Sequence, residues 1–274
     1  MTQSLLKLVQ FTDPHLYADA GGRLRGIATL PALQATLAAA ADDVQAAEAI
    51  LVTGDLVQDD AGGYARFREV FAPLGKPVLC IPGNHDDAAE LAAALADPPF
   101  RVCGHSDWLT WRVVMLDSSV PGMAQGRLAQ ESLQRLDATL ADPAHAHALV
   151  CLHHHPIAMG SRWLDSVGLT NANDFFTVIQ RHPRVRGIVF GHVHQSFDTE
   201  HNGVRILGTP STCAQFLPRS ANFQLDSQPP AWRTLNLSAD GAIATRIHWV
   251  SPLQSPATSP ARRDTAAAAK HSLS

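Results

Sequence analysis

Short apolar runs recur along the chain, and most of them stop at a residue type that binds metal. Leu8-Val9-Gln10-Phe11 precedes Asp13 and His15, and Ile50-Leu51-Val52-Thr53-Gly54 runs straight into Asp55. Val78-Leu79-Cys80-Ile81 precedes Asn84 and His85, Leu149-Val150-Cys151-Leu152 precedes His153 to His155, and Ile188-Val189-Phe190 precedes His192 and His194. Continuous apolar runs of this length suit strands buried on both faces. A charge at the end of such a strand lies at the rim of a sheet, where open α/β folds keep their sites. Five such endings point to a single metal centre assembled from five loops around Asp55.

Between the runs, helical spacing appears. Residues 30–47 carry Leu33, Leu37, Val44 and Ala47 on one face, and 64–74 carries Phe67, Val70 and Phe71 before Gly75. Further helices are expected over 87–96, 128–141 and 173–182, and a further strand over 111–116. The opening βαβαβ order argues for right-handed crossovers and a shared strand direction. His105 and Asp107 fall in a loop before the 111–116 strand and take no role. Residues 159–172 read as a loop with an apolar tip, Trp163 and Leu164, which serves as a lid, as the contact of a homodimer, or as a loop packed on its own domain.

From Val204 the pattern changes to short strands at 204–208, 222–225, 231–237 and 242–250, with Ala239-Asp240-Gly241 as a hairpin signal between the last two. These are expected to continue a second sheet in antiparallel fashion. After about residue 252 the chain is rich in Ser, Pro, Ala and Arg without apolar period, which reads as disorder. The expected organisation is one domain over residues 1–251 and a tail over 252–274.

Composition narrows the function classes. The 274 residues are 46% hydrophobic and 17% charged, ordinary for a soluble globular protein. A net charge of −4 gives no basic footprint, so no nucleic-acid partner is expected. Cys80, Cys103, Cys151 and Cys213 lack paired spacing, which argues against a disulfide framework and for a reducing, cytoplasmic home. No stretch approaches the ~20 apolar residues a membrane span needs, so no membrane partner is expected either.

The candidate ligands are Asp13, His15, Asp55, Asn84, His154, His192 and His194. Carboxylates with neutral imidazoles suit Mn²⁺, Fe²⁺, Zn²⁺ or Co²⁺. Seven ligands are too many for one open catalytic ion and suit two ions sharing a carboxylate, with Asp55, alone on its loop, as the bridge. Two ions ~3.5–4 Å apart clamp the attacking and leaving oxygens of phosphoryl transfer.

Asp13-Pro14-His15, Gly54-Asp55, Gly83-Asn84-His85-Asp86, His154-His155-Pro156 and Gly191-His192-Val193-His194, in that order and each after a strand, resemble the calcineurin-like metallophosphoesterase superfamily. Leu152-His153-His154-His155-Pro156, the run Thr209 to Phe216, and Trp232-Arg233-Thr234-Leu235 are more narrowly similar to the class III cyclic nucleotide phosphodiesterases, the bacterial cyclic AMP phosphodiesterases among them.

The resemblance implies an α/β fold, a four-layer α/β/β/α sandwich of two mixed sheets. It implies that Asp13, His15, Asp55 and His194 hold one divalent ion and Asp55, Asn84, His154 and His192 the other, with Fe²⁺ and Mn²⁺ favoured over Zn²⁺ and Co²⁺. His154 is chosen because the family's ligand precedes its proline by two positions; His153 and His155 then point elsewhere. His85 is the expected catalytic group, facing the phosphate with His15, Asp55, Asn84 and His194, and Asp86 is expected to orient His85 or a ligating histidine. The implied reaction is in-line attack by a metal-bridging hydroxide on cyclic 3′,5′-AMP, releasing 5′-AMP. Thr212 and Cys213 either line the nucleotide pocket or close a turn. The rival readings are a phosphodiesterase for another small diester, such as a glycerophosphodiester or a 2′,3′-cyclic nucleotide, and a non-catalytic scaffold.

Overall fold

The computed structural model describes residues 5–251, so the expected tail over 252–274 lies outside the described residues. Among these residues two mixed sheets of six strands each pack face to face. In the first sheet β1 (Leu5–Phe11), β2 (Ala49–Thr53), β3 (Val78–Ile81) and β4 (Phe100–Val102) run parallel. The second sheet takes the middle of the chain. It contains β5 (Gly104–Trp108), β6 (Trp111–Met115), β7 (His147–Leu152), β8 (Val185–Phe190), β9 (Phe197–His201) and β10 (Val204–Gly208). β6, β7, β8 and β10 are parallel, and the antiparallel β5 and β9 form its edges.

The apolar runs are buried on both faces because each sheet is covered on both. Leu8, Leu51, Leu79, Val113, Leu149, Cys151, Val189 and Leu207 fill the space between the sheets. On the outer face of the first sheet, Val9, Phe11, Ile50 and Val52 pack against Leu33 and Leu37 of α1 (Thr29–Ala39), Val44 of α2 (Ala41–Ala46) and Phe67 and Phe71 of α3 (Gly63–Phe71). Val150, Leu152 and Ile188 do the same on the second sheet, against Leu133, Leu136 and Leu140 of one helix (Gln130–Ala141) and Phe175 and Ile179 of another (Ala172–Gln180). The expected four-layer sandwich is therefore the architecture found.

Several local expectations change. Residues 204–208 do extend the second sheet, but parallel to β8. The last two strands, β11 (Ala231–Ser238) and β12 (Ile243–Trp249), return to the first sheet, where β11 pairs antiparallel with β1. Periodicity signals a strand, not its partner, and the choice is made by packing: Leu235 and Leu237 complete the core between the sheets. His105 and Asp107 lie on the edge strand β5 instead of a loop, where Asp107 receives two hydrogen bonds from the buried Arg112. At the 159–172 loop, Leu164 is fully buried in the second sheet's outer core, so its apolar tip packs on its own domain.

Candidate metal centre

The parallel strands of both sheets end at one rim, and pairing between their loops continues past the strand ends. The Asp13 N–H donates to the Gly54 carbonyl (3.1 Å), and the His15 N–H donates to the Asp55 carbonyl (3.0 Å). This close stacking bends the backbone. Asp13, His15, Asp55, His192 and His194 all have positive φ, between 47° and 66°, a conformation that non-glycine residues rarely adopt and that clusters at functional sites. Two motif glycines leave room for the side chains: a Cβ on Gly83 would lie 2.1 Å from Asp55 Oδ1, and one on Gly54 would lie 2.3 Å from His153 Nδ1.

Asp55 stands at the centre. Its Oδ1 accepts the His85 N–H (2.9 Å), and its Oδ2 lies 3.7 Å from His15 Nε2 and 3.4 Å from His153 Nε2. On one side of it, ligating atoms of Asp13, His15, Asp55 and His194 all fall within 4.8 Å of one another, and every one of these residues is buried. His15 Nε2 and His194 Nε2 are 3.2 Å apart, and Asp13 Oδ1 is 3.4 Å from His194 Nε2. On the other side, His153 Nε2 lies 3.2 Å from Asn84 Oδ1 and 3.2 Å from His192 Nδ1.

The triple histidine departs from expectation. His153, expected to point elsewhere, touches Asn84, Asp55 and His192, while His154 Nδ1 lies 2.9 Å from Ser118 Oγ, away from Asn84. The physical reason is the period of two along a strand. Leu149 and Cys151 face the space between the sheets, so His153 continues on that face, toward Asp55. Val150 and Leu152 face the outer helices, and His154 follows them toward Ser118. His154 still lies within 4.8 Å of His153 and His192 by one ring nitrogen. His155 is buried beside the rings of Phe190 and His192.

Asp86 also takes a different place. Instead of orienting His85, it ties two loops together, accepting N–H groups from Gly83 (2.8 Å), Leu56 (3.0 Å) and Val57 (3.2 Å) and the Tyr64 hydroxyl (3.2 Å). Burial and the nearby Asp55 charge push its carboxyl up to about 7, against the pull of those N–H donors. His85 is held by Asp59, whose Oδ2 lies 3.0 Å from Nδ1, with Gln58 Nε2 at 2.8 Å. Thr212 and Cys213 are buried and the Thr212 N–H donates to the Thr12 carbonyl, so this segment closes a turn behind the site.

The donor set fits divalent ions. The Ala214 carbonyl lies 2.6 Å from His194 Nδ1, and the Thr53 carbonyl lies 2.8 Å from His153 Nδ1. A carbonyl only accepts, so each Nδ1 carries a proton and each Nε2 is the nitrogen left to bind an ion, that of His153 after giving up the second proton its carboxylate neighbours hold there. His15 Nδ1, His154 Nε2 and His192 Nε2 are buried without a hydrogen-bond partner among the described residues. Burial holds His15 neutral, lowering it to about 4, and holds His192 well below the usual histidine range. Burial disfavours the His153 cation too, but the Asp55 and Asp13 carboxylates outweigh it and raise that group to about 9. A cation of higher charge in the same place would satisfy those carboxylates and the converging lone pairs together.

The calcineurin-like phosphoesterase family model matches residues 6–196, which span all five loops. The chain is a calcineurin-like phosphoesterase. Among curated members, it is 39% identical over 249 residues to the 3′,5′-cyclic adenosine monophosphate phosphodiesterase CpdA of Vibrio vulnificus, covering 90% of this chain and 91% of that one. It is likewise 39% identical over 251 residues to CpdA of Escherichia coli (strain K12), covering 90% of each. A dimetal phosphatase from Danio rerio shares the calcineurin-like phosphoesterase fold with a TM-score of 0.59 at 14% identity, over 90% of this chain and 99% of that one. A purple acid phosphatase from yellow lupin seeds gives a TM-score of 0.62 at 15% identity, over 90% of this chain and 54% of that one. No helix among the described residues of this calcineurin-like phosphoesterase is long and apolar enough to cross a membrane.

Proposed function

We propose that the protein hydrolyses cyclic 3′,5′-AMP to 5′-AMP with two divalent ions, Fe²⁺ or Mn²⁺, as a cytoplasmic enzyme. The observation that carries this reading is the Asp55 carboxylate, whose Oδ2 stands between the Nε2 atoms of His15 and His153 at 3.7 and 3.4 Å. Similarity to the cyclic AMP phosphodiesterases supports the substrate. Asp13, His15, Asp55 and His194 would hold one ion, and Asp55, Asn84, His153 and His192 the other, with His153 taking the position first expected of His154. The ions supply Lewis acidity that neutralises the phosphoryl oxygens and lowers the pKa of water.

The chain's own residues do the rest. The Thr53 and Ala214 carbonyls fix the tautomers of His153 and His194, and Asp59 fixes His85 from its Nδ1 side. Water adds its oxygen to phosphorus and releases a proton to solvent, the P–O3′ bond breaks, and O3′ leaves with the electron pair and takes a proton from His85, which is then reprotonated from solvent. His85 is partly exposed and its ring lies 5.4 Å from that of His15, at the mouth of the centre.

The test is turnover by Mn²⁺-loaded protein of cyclic 3′,5′-AMP, 2′,3′-cyclic AMP and a glycerophosphodiester, with a chelator control. Preferred, chelator-sensitive release of 5′-AMP is expected. Preference for another diester would keep the chemistry and discard the substrate, and no turnover of any ester would leave a scaffold.

A further inference from the structure

The segment that follows β10 passes behind the metal centre and fastens to one side of it. Ser211 Oγ donates to the Asp13 carbonyl (2.7 Å), and the Thr212 N–H donates to the Thr12 carbonyl (3.0 Å). The Ala214 carbonyl accepts the His194 Nδ1 proton, and the Phe216 N–H donates to the His194 carbonyl (3.2 Å). Gln215 keeps the segment in this shape. Its Oε1 accepts the Ser211 N–H (3.0 Å), and its Nε2 donates to the carbonyls of Ser211 (2.7 Å) and Pro229 (3.1 Å). None of these bonds reaches Asn84, His153 or His192.

Phe216 adds a ring to this support. It lies flat on the His194 imidazole, with centroids 3.9 Å apart and planes 5° from parallel. Trp163 (5.4 Å, 71°) and Phe223 (5.2 Å, 72°) meet the Phe216 ring edge-on and hold it in place. On the other side of the centre, the most nearly parallel neighbour of His192 is His155, at 5.6 Å and 18°. Phe216 is partly exposed and sits on a short hairpin outside both sheets, Gln215–Phe216 paired with Leu225–Asp226. It belongs to none of the apolar cores. Core packing therefore does not explain why a ring stands there, whereas the buried histidine beneath it does.

The hydrogen bond at Nδ1 fixes which nitrogen of His194 carries the proton, but leaves the imidazole free to tilt about that contact. A ring lying flat on it removes this freedom. His194 Nε2 then stays aimed at Asp13 Oδ1, 3.4 Å away, and at His15 Nε2, 3.2 Å away. We propose that Phe216 is a positioning residue for the ion held by Asp13, His15, Asp55 and His194, acting through the His194 ring, with no part in holding the second ion. The inference rests on the two-ion reading above. A ligand oriented before the ion arrives binds it more tightly.

The experiment is a calorimetric titration of metal-free protein with Mn²⁺, in wild type, Phe216→Leu and Phe216→Tyr, each with and without Asn84→Ala to empty the second position. The wild type is expected to bind two ions. Phe216→Leu keeps an apolar side chain without the stack, and should bind one ion about 10- to 100-fold more weakly and the other as before. Phe216→Tyr keeps the ring and should bind both as the wild type does. With Asn84→Ala, the one ion that remains should be the ion that Phe216→Leu weakens. Phe223→Leu, at a position 38% exposed, should weaken the same ion by a smaller factor, and serves if Phe216→Leu does not fold. A Phe216→Leu variant that keeps both affinities, loses both by the same factor, or is matched by Phe216→Tyr would overturn the proposal. A wild type that binds one ion or none would overturn the two-ion reading, and this inference with it.

Discussion

Two groups of polar side chains are buried between or beside the same two sheets, and they are built in opposite ways. Around Arg233, which is 2% exposed, each guanidinium nitrogen has a hydrogen-bond partner. Its guanidinium donates to Thr209 Oγ1 (2.8 Å), Thr245 Oγ1 (3.0 Å) and the carbonyls of Gly208 (2.8 Å) and Phe197 (3.3 Å), and Thr209 passes its own proton to Gln10 Oε1 (2.6 Å). Gln10 in turn donates to Thr53 Oγ1 (2.8 Å). This network ties β1, β2 and β11 of one sheet to β10 of the other. Burial lowers the arginine only to about 10, so it stays charged at neutral pH. At the rim, by contrast, imidazole nitrogens face one another 3.2 Å apart, five buried ring nitrogens of His15, His154, His155 and His192 have no hydrogen-bond partner among the described residues, and the backbone is held at positive φ. A satisfied buried network is a structural fastening; an unsatisfied and strained one is a site waiting for charge.

The contrast is broken or sharpened by substitution on each side. The largest effect is expected from Asp55→Asn. Activity of the Mn²⁺-loaded protein should fall by about 10³-fold or more, while urea unfolding of the metal-free protein should show only a small change, because Asn keeps an acceptor for the His85 N–H and loses the His153 pairing together with the repulsion of Asp86. A large loss of metal-free stability would mean that Asp55 is a fastening like Arg233. His85→Ala should lower kcat by about 10²-fold or more with metal content unchanged, the range for a lost proton donor; loss of bound metal instead would make it a ligand or a ligand's support.

On the fastening side, Arg233→Ala should cost about 3 kcal/mol in urea unfolding, since it strands buried acceptors and leaves a cavity. The metal count of whatever remains folded should be that of the wild type. The smallest effect is expected from Ser118→Ala, about 1 kcal/mol for one hydrogen bond to His154. Its metal content should not change, whereas His153→Ala should lose an ion.

Much of the rim was legible in the sequence because each motif closes an apolar run. The runs ending at Asp13, Asp55, Asn84 and His192 name residues that the fold brings together. Where three histidines follow one another, motif spacing favoured His154, yet the alternation of Leu149 and Cys151 against Val150 and Leu152 already carried the parity that turns His153 inward. Asp59 was not legible as a partner of the site, because it reaches His85 across 26 positions of sequence. Arg233 likewise stood in a run valued for its resemblance, and nothing local announced that its partners would come from the other sheet.

The central claim is that five loops build a two-ion centre bridged by Asp55. Its most direct test is the number of Mn²⁺ ions bound by metal-free protein in a calorimetric titration, repeated with Asp55→Asn. Two ions per wild-type chain, with the variant losing at least one of them, is the predicted result. A wild type that binds one ion or none, or a variant that still binds two with unchanged affinity, would contradict the account.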